Sequence, residues 1–178
     1  MINVDDDIVL KQISEVSAQR IFNSIHASRD HLRPWLPFVD QTQSVKDTRN
    51  FIKSVRNNKC LKKDMVFEIW YQEEFAGLIA LKEIDYANLK VEVGYWLDKS
   101  KTGKGIMIRS CRSIVNYALQ ELNLNRVSIK IAIGNRKSTA IPVGLDFYQE
   151  GIEKNGELIN DKFHDLLIFS MLKKDWNG

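Results

Sequence analysis

A mixed α+β domain is what this sequence predicts, and three observations carry the prediction. Segments with strand-like alternation follow one another early in the chain with only turns between them, the order of an antiparallel meander. A strand, a glycine-containing loop, a helix and a further strand come next, the order of a right-handed parallel crossover. Two more alternating segments then close the chain. The 178 residues suit a single domain, 1–178, with a substantial core. The formal net charge of +3 is too slight to argue for nucleic acid or a membrane surface, although it suits an anionic ligand. The basic residues are spread along the chain rather than clustered. Two cysteines, Cys60 and Cys111, belong to no pairing motif, and no Cys/His cluster has metal-ligand spacing, so no metal is expected. Residues 1–7 are acidic and lack the basic start and apolar run of a signal peptide. No later segment could span a bilayer, so a cytoplasmic location is expected.

Residues 8–13 read as the first strand. Residues 17–26 read as a helix with Ile21, Phe22 and Ile25 on one face, and His26 as a half-exposed helix residue. His31-Leu32-Arg33-Pro34-Trp35-Leu36-Pro37-Phe38 follows. Its prolines and aromatics make a stiff apolar connection, which either covers the core or forms one wall of a substrate cleft. Ser44-Val45-Lys46-Asp47 has capping-box spacing and opens a second helix through Phe51, Ile52 and Val55. Residues 57–64 form a polar loop. The apolar runs 65–71 and 75–81, separated by Gln72-Glu73-Glu74, read as a hairpin. A turn at 85–88 then leads to the central strand.

In that strand Val91, Val93, Tyr95 and Leu97 alternate with Glu92, Gly94 and Trp96. After Gly105 the period changes. Met107, Cys111, Ile114, Val115, Ala118 and Leu122 fall on one helical face, which makes Cys111 a buried thiol. The loop between, Lys99-Ser100-Lys101-Thr102-Gly103-Lys104-Gly105, brings free backbone N–H groups and the positive end of a helix dipole to one place. Gly103 and Gly105 let a phosphate approach the main chain closely. The Walker A pattern is absent, and the dinucleotide fingerprint lacks its third glycine. Residues 127–133 alternate cleanly and form a strand parallel to the central one. Ser138 is a good N-cap for a further helix, with Pro142 in a first turn where no N–H is needed. Residues 147–154 and 163–171 close the chain as two strands around Asn155-Gly156.

Four pieces in order, Glu92-Val93-Gly94-Tyr95-Trp96-Leu97, Gly103-Lys104-Gly105, Asn135-Arg136-Lys137-Ser138-Thr139-Ala140-Ile141-Pro142 and Asp161-Lys162-Phe163-His164-Asp165, together with Arg33-Pro34-Trp35-Leu36-Pro37 upstream, resemble the GNAT superfamily of acetyltransferases. More narrowly they resemble the ribosomal-protein N-terminal acetyltransferases, the RimJ/RimL group. The likeness runs from the first strand to Trp176. It implies a twisted mixed sheet of six to seven strands with about four helices, splayed open at the central strand. Acetyl-CoA would be the co-substrate and lie in that split. Its pantetheine arm would pair with main chain of Tyr95, Trp96 and Leu97, and its pyrophosphate would meet the N–H groups of Thr102, Gly103, Lys104, Gly105, Ile106 and Met107. Asn135 and Ser138 would face the pantetheine and the sulfur. The chain departs from the pattern at Thr102, where the superfamily usually has Gln or Arg, and at Met107, where it has Gly or Ala. Gly144 also departs, and Leu145-Asp146-Phe147 replaces Leu-Gly-Phe, so Asp146 would have to adopt a left-handed conformation. Pro142 stands where many members carry a tyrosine acid. Ser138 is the substitute that the narrower branch suggests; Tyr148 is near in sequence but on an expected strand.

The implied chemistry is attack of an amine on a thioester. A carboxylate would take the amine's proton directly or through water, and Glu92 and Glu157 are the candidates. Main-chain N–H groups near residues 95–97 would hold developing negative charge, and Ser138 would protonate the leaving thiolate. Trp35, Leu36 and Phe38 would wall the acceptor site. The acceptor is expected to be a protein N-terminus, as in a ribosomal protein. A small amine such as a polyamine or an aminoglycoside-like compound is the alternative, and a CoA-binding protein without turnover is a third reading. The oligomeric state, a homodimer included, stays open.

Overall fold

A computed structural model of the protein describes residues 1–60 and 63–178. The chain runs β1 (Ile2–Asn3), β2 (Ile8–Gln12), α1 (Ala18–Ala27), α2 (Arg29–Leu32), α3 (Phe38–Gln41), α4 (Val45–Cys60), β3 (Met65–Tyr71), β4 (Glu74–Asp85), β5 (Lys90–Leu97), α5 (Ile106–Asn116), β6 (Arg126–Ala132), α6 (Arg136–Gly144), β7 (Tyr148–Ile159) and β8 (Lys162–Leu172). The strands form one mixed sheet of eight in the order β1-β2-β3-β4-β5-β6-β8-β7. This is the mixed fold expected, with one strand beyond the upper count. The addition is β1, whose two residues pair with Leu10 and Val9 and are too few to carry a pattern. The helices also exceed four, because the proline–tryptophan connection winds into the one-turn helices α2 and α3 on either side of Pro34 and Pro37. Among the described residues no helix is long and apolar enough to cross a membrane.

Among the described residues only β5 and β6 are parallel neighbours, and they pair briefly, through Lys90–Arg126, Val91–Val127 and Glu92–Ser128. Beyond that rung β5 keeps β4 as its partner as far as Leu97, while β6 keeps β8 as far as Ala132. The sheet therefore opens as a V between them. Close approach at Gly77 holds the far end of β5 to β4: a Cβ at Gly77 would sit 2.2 Å from the Trp96 carbonyl oxygen. The alternation of β5 serves two cores. Val91 and Val93 face Cys111, Ile114, Val127 and Phe169 under α5, and Trp96 faces Ile21, Ile52, Val66 and Leu78 under α1 and α4. Each fully buried aliphatic or aromatic side chain here contributes on the order of 1.5–3 kcal/mol. Cys111 is fully buried, and burial pushes its thiol up to about 12.

Several local expectations change. The stretch 57–64 is not all loop, because α4 runs on to Cys60; Leu61 and Lys62 lie outside the described residues. The cap of α6 is Asn135 rather than Ser138: the Asn135 side-chain oxygen accepts the Ser138 N–H at 3.3 Å. Gly134, at φ +96°, turns the chain before Asn135, so Pro142 falls deep in α6 rather than in its first turn. The Asn155-Gly156 pair is not the closing turn. It lies in a bulge between Glu153–Leu166 and Glu157–His164, while the turn is made by Asn160 and Asp161, both left-handed.

Asp146 does take the left-handed conformation expected of it, at φ 57°. It ends α6 in a Schellman closure, with Phe147 N–H on the Pro142 carbonyl at 2.9 Å and Asp146 N–H on that of Val143 at 3.2 Å. Relief of the left-handed strain in Asp146→Gly is expected to stabilise the protein by about 1 kcal/mol, raising Tm by about 2–4 °C. Unchanged melting in calorimetry would mean that the side chain already offsets that strain.

Candidate active site

The site begins where β5 ends. Asp98 accepts hydrogen bonds from Ser100 N–H at 2.9 Å, Ser100 Oγ at 2.7 Å and Ser24 Oγ at 2.6 Å. Burial alone would raise the Asp98 carboxyl, but the serine donors hold it below its ordinary value. Ser28 Oγ accepts the Lys99 N–H at 3.0 Å, so α1 and its C-terminal cap anchor the start of the loop. Gly103 (φ 79°) and Gly105 (φ 69°) then follow in left-handed conformations, and Gly105 is the N-cap of α5. Among the described residues, chain neighbours aside, nothing lies within 4 Å of a Cβ built at either glycine. Conformation is therefore what requires them, and the space above them is open. Among the described residues the N–H groups of 103–105 have no hydrogen-bond partner. A turn of unpaired donors on a helix N-terminus is a seat for an anion.

This seat opens into the V of the sheet. A cleft of about 660 Å³, within the range of small-molecule sites, is lined by Tyr95, Trp96 and Leu97 of β5, by Thr102, Gly103, Gly105, Ile106 and Met107 of the loop and α5, by Asn135 and Ser138 of α6, and by Trp35 and Leu36. The structure thus brings together most of the residues singled out from sequence. Met107 is buried in the core, the orientation its bulk requires. Lys104 does not line the cleft; its ammonium lies 5.8 Å from the Tyr71 ring centre, leaving only its main chain for a ligand. Phe38 does not line it either, because it starts α3 and packs against the α1–α4 core. Asn135 commits its carbonyl oxygen to capping, which leaves its amide N–H₂ for a ligand. Tyr95 Oη donates to the Ser138 carbonyl at 3.1 Å, and burial keeps its phenol above the ordinary value, so it stays a donor.

Neither candidate carboxylate lines the cleft. Glu92 lies at the last paired rung, where Lys82 Nζ meets its carboxylate at 2.6 Å. Glu157 lies on β7 opposite His164 and is half-buried. Burial raises its carboxyl above the ordinary value; Lys82 and His164 counter this, and Glu92 adds to it. Glu92, Lys82 and Glu157 are therefore electrostatic neighbours. Tyr148 is 73% exposed on β7.

Sequence reasoning misses His31, Gly134, Arg136 and Lys137, which also line the cleft. The signal for His31 is its spacing of four from Trp35, that for Gly134 the turn before Asn135. Trp35 crosses the cleft to Gly134, its Cη2 lying 3.8 Å from where a Cβ would be. Burial, then Lys137 and Lys99, lower the His31 pKa against the pull of Asp98, which favours the neutral ring.

Comparison with known proteins agrees with this geometry. The sequence matches the model of the Acetyltransferase (GNAT) domain over residues 7–147. It is 34% identical over 176 residues to the protein named "Putative ribosomal N-acetyltransferase YdaF" of Bacillus subtilis (strain 168), covering 98% of this chain and 96% of that one. It is 28% identical over 174 residues to the ribosomal-protein-serine acetyltransferase of Escherichia coli (strain K12), covering 96% of each. Among solved structures, one described as "Probable acetyltransferase" superposes with a TM-score of 0.92 at 34% identity, over 98% of this chain and 97% of that one. The RimL ribosomal L7/L12 alpha-N-protein acetyltransferase in complex with coenzyme A also gives 0.92, at 24% identity over 96% and 97% of the chains, a likeness of fold. The match across most of its length, and a relative sharing a third of its residues end to end, make this chain a member of the GNAT acetyltransferase family.

Proposed function

We propose that the protein transfers the acetyl group of acetyl-CoA to the N-terminal α-amine of a protein such as a ribosomal protein, with 1–178 acting as one catalytic domain. The observation that carries this is the meeting, in one cleft, of the open V between β5 and β6 with the unpaired N–H groups at the start of α5. Acetyl-CoA supplies an activated thioester carbonyl. The main chain of Tyr95, Trp96 and Leu97 would hold its pantetheine arm, with the amide N–H₂ of Asn135 opposite. The N–H groups of residues 103–107 would hold the pyrophosphate, Lys104 through its main chain only, whereas the Thr102 N–H already donates to the Lys99 carbonyl at 3.4 Å. Trp35 and Leu36 wall the acceptor side.

An ammonium cannot attack a carbonyl, so a base must take its proton. We assign this to Glu157, acting through water since it stands back from the cleft. Its carboxyl is held above the ordinary range and so is the stronger base, whereas Glu92 is already neutralised by Lys82. Ser138 Oγ–H would donate to the departing thiolate, and β5 N–H groups would face the charge gathering on the carbonyl oxygen.

A thiol-release assay tests this with acetyl-CoA and a panel of amines: short peptides with free N-termini, spermidine and an aminoglycoside. Peptide turnover well above the small amines is expected. Turnover confined to the small amines would replace the acceptor with the second reading. Retained CoA binding with no turnover on the panel or on extracted ribosomal proteins would make the protein a CoA-binding one.

A further inference from the structure

In an α-helix the carbonyl of residue i takes its hydrogen bond from the N–H of residue i+4. For Ser138 in α6 that residue is Pro142, which has no N–H to give. The donor comes instead from across the cleft: Tyr95 Oη lies 3.1 Å from the Ser138 carbonyl oxygen. Tyr95 belongs to β5, in the part of the strand that has parted from β6. Ser138 belongs to the helix that follows β6. Among the described residues no other hydrogen bond joins β5 to α6. The bond thus spans the two walls of the V where the sheet ladder no longer does.

We propose that the Tyr95 hydroxyl is a positioning group, which fixes the first turn of α6 against β5 through the carbonyl that Pro142 leaves without its helical donor. Through that turn it holds the Ser138 hydroxyl and the Asn135 amide at their working distance from the β5 main chain. The proline and the tyrosine form one device. A residue with an N–H at 142 would give the Ser138 carbonyl a partner within its own helix and make the tether dispensable. The part that concerns the Ser138 hydroxyl rests on its role in the proposed reaction; the tether itself runs to the Ser138 main chain and does not.

The test is a cycle on the full chain, measured with acetyl-CoA and an accepted amine at a temperature where every variant is folded. Tyr95→Phe keeps the ring and removes the donor. It is expected to lower kcat about tenfold, the scale of one misdirected buried hydrogen bond, with KM for acetyl-CoA raised less, by no more than about threefold, because the Tyr95 main chain that holds the pantetheine is untouched and only the facing Asn135 amide is loosened. Pro142→Ala alone is expected to stay within about twofold of the parent, since a carbonyl oxygen accepts two bonds. In the Pro142→Ala background Tyr95→Phe should cost little, because the new N–H at 142 serves the same carbonyl. A merely structural tyrosine would give no such split between kcat and KM. An equal kcat loss with and without Pro142→Ala, or no loss in Tyr95→Phe, would overturn the inference. Ser138→Ala separates the two readings. If it lowers kcat and Tyr95→Phe adds nothing further, the hydroxyl is what the tether positions. If Ser138→Ala is neutral while the Tyr95 loss and its rescue persist, the acid role of Ser138 falls and the tether stands.

Discussion

Gly105→Glu is expected to abolish acetyl-CoA binding, raising Kd by about a hundredfold or more. Two effects combine in this variant and can be separated. The first is conformational. Gly105 sits at φ 69° as the cap of α5, where a side chain costs about 1–2 kcal/mol. Gly105→Ala carries that cost alone and should lower Tm by about 2–4 °C per kcal/mol while weakening binding less than tenfold. The second is electrostatic. A carboxylate about 4 Å from a phosphate opposes it by about 4 kcal/mol at the effective dielectric of a protein surface, and each 1.4 kcal/mol is about tenfold in Kd. The loop is exposed, so salt screens part of this, and a hundredfold loss is a conservative figure at physiological ionic strength. Calorimetric titration at low and high salt checks both points, with the gap between the Glu and Ala variants narrowing as salt rises. Retained binding by Gly105→Glu would remove the pyrophosphate from this loop and leave the V without its cofactor assignment.

The loop is also the feature most legible in the sequence, and the reason is physical. A glycine needed for φ > 0, a strand alternating up to it and a helix face starting after it are all local, so the residues themselves encode the seat. The hairpin 65–81 is legible for the same reason, although its turn is the left-handed pair Gln72 and Glu73, residue types that do not advertise such a turn. Where two local signals compete, sequence alone chooses badly. Asn135 and Ser138 are both good caps three residues apart, and Gly134 decides between them by turning the chain first. Asn155-Gly156 is the stronger hairpin signal, yet the chain spends it on a bulge, with Asn155 N–H bonded to Asp165 Oδ1 at 2.9 Å. The turn falls instead at Asn160, whose amide reaches the Arg33 carbonyl at 3.1 Å and ties the hairpin tip to the connection carrying Trp35. The neighbours that set the charge on Glu157 come from three strands, β4, β5 and β8, and no local pattern brings Lys82 or His164 to it.

That long-range charge environment carries the second large prediction. Glu157→Gln is expected to lower kcat by about 10²–10⁴-fold, the usual cost of losing a general base, with little change in CoA binding. The pH dependence identifies the group. A carboxyl raised by burial is still protonated, and so unable to act as a base, at pH values where an ordinary glutamate is ionised. At saturating amine, kcat of the parent should therefore climb with pH through that raised value and then level, and the climb should vanish in Glu157→Gln. Two neighbours move it in opposite directions. Lys82 favours the ionised form, so Lys82→Met should push the climb to higher pH; Glu92 opposes ionisation, so Glu92→Gln should pull it to lower pH. Stability gives an independent check of the sign. A folded-state pKa above the unfolded one contributes stability that is full below the unfolded value and is lost as pH rises through the folded value. Glu157→Gln should accordingly flatten a decline in stability across that window and leave the protein slightly more stable at neutral pH. If the climb in kcat persisted in Glu157→Gln, or if Lys82→Met and Glu92→Gln moved it in the same direction, the proton would be leaving the amine by a route that does not pass through Glu157.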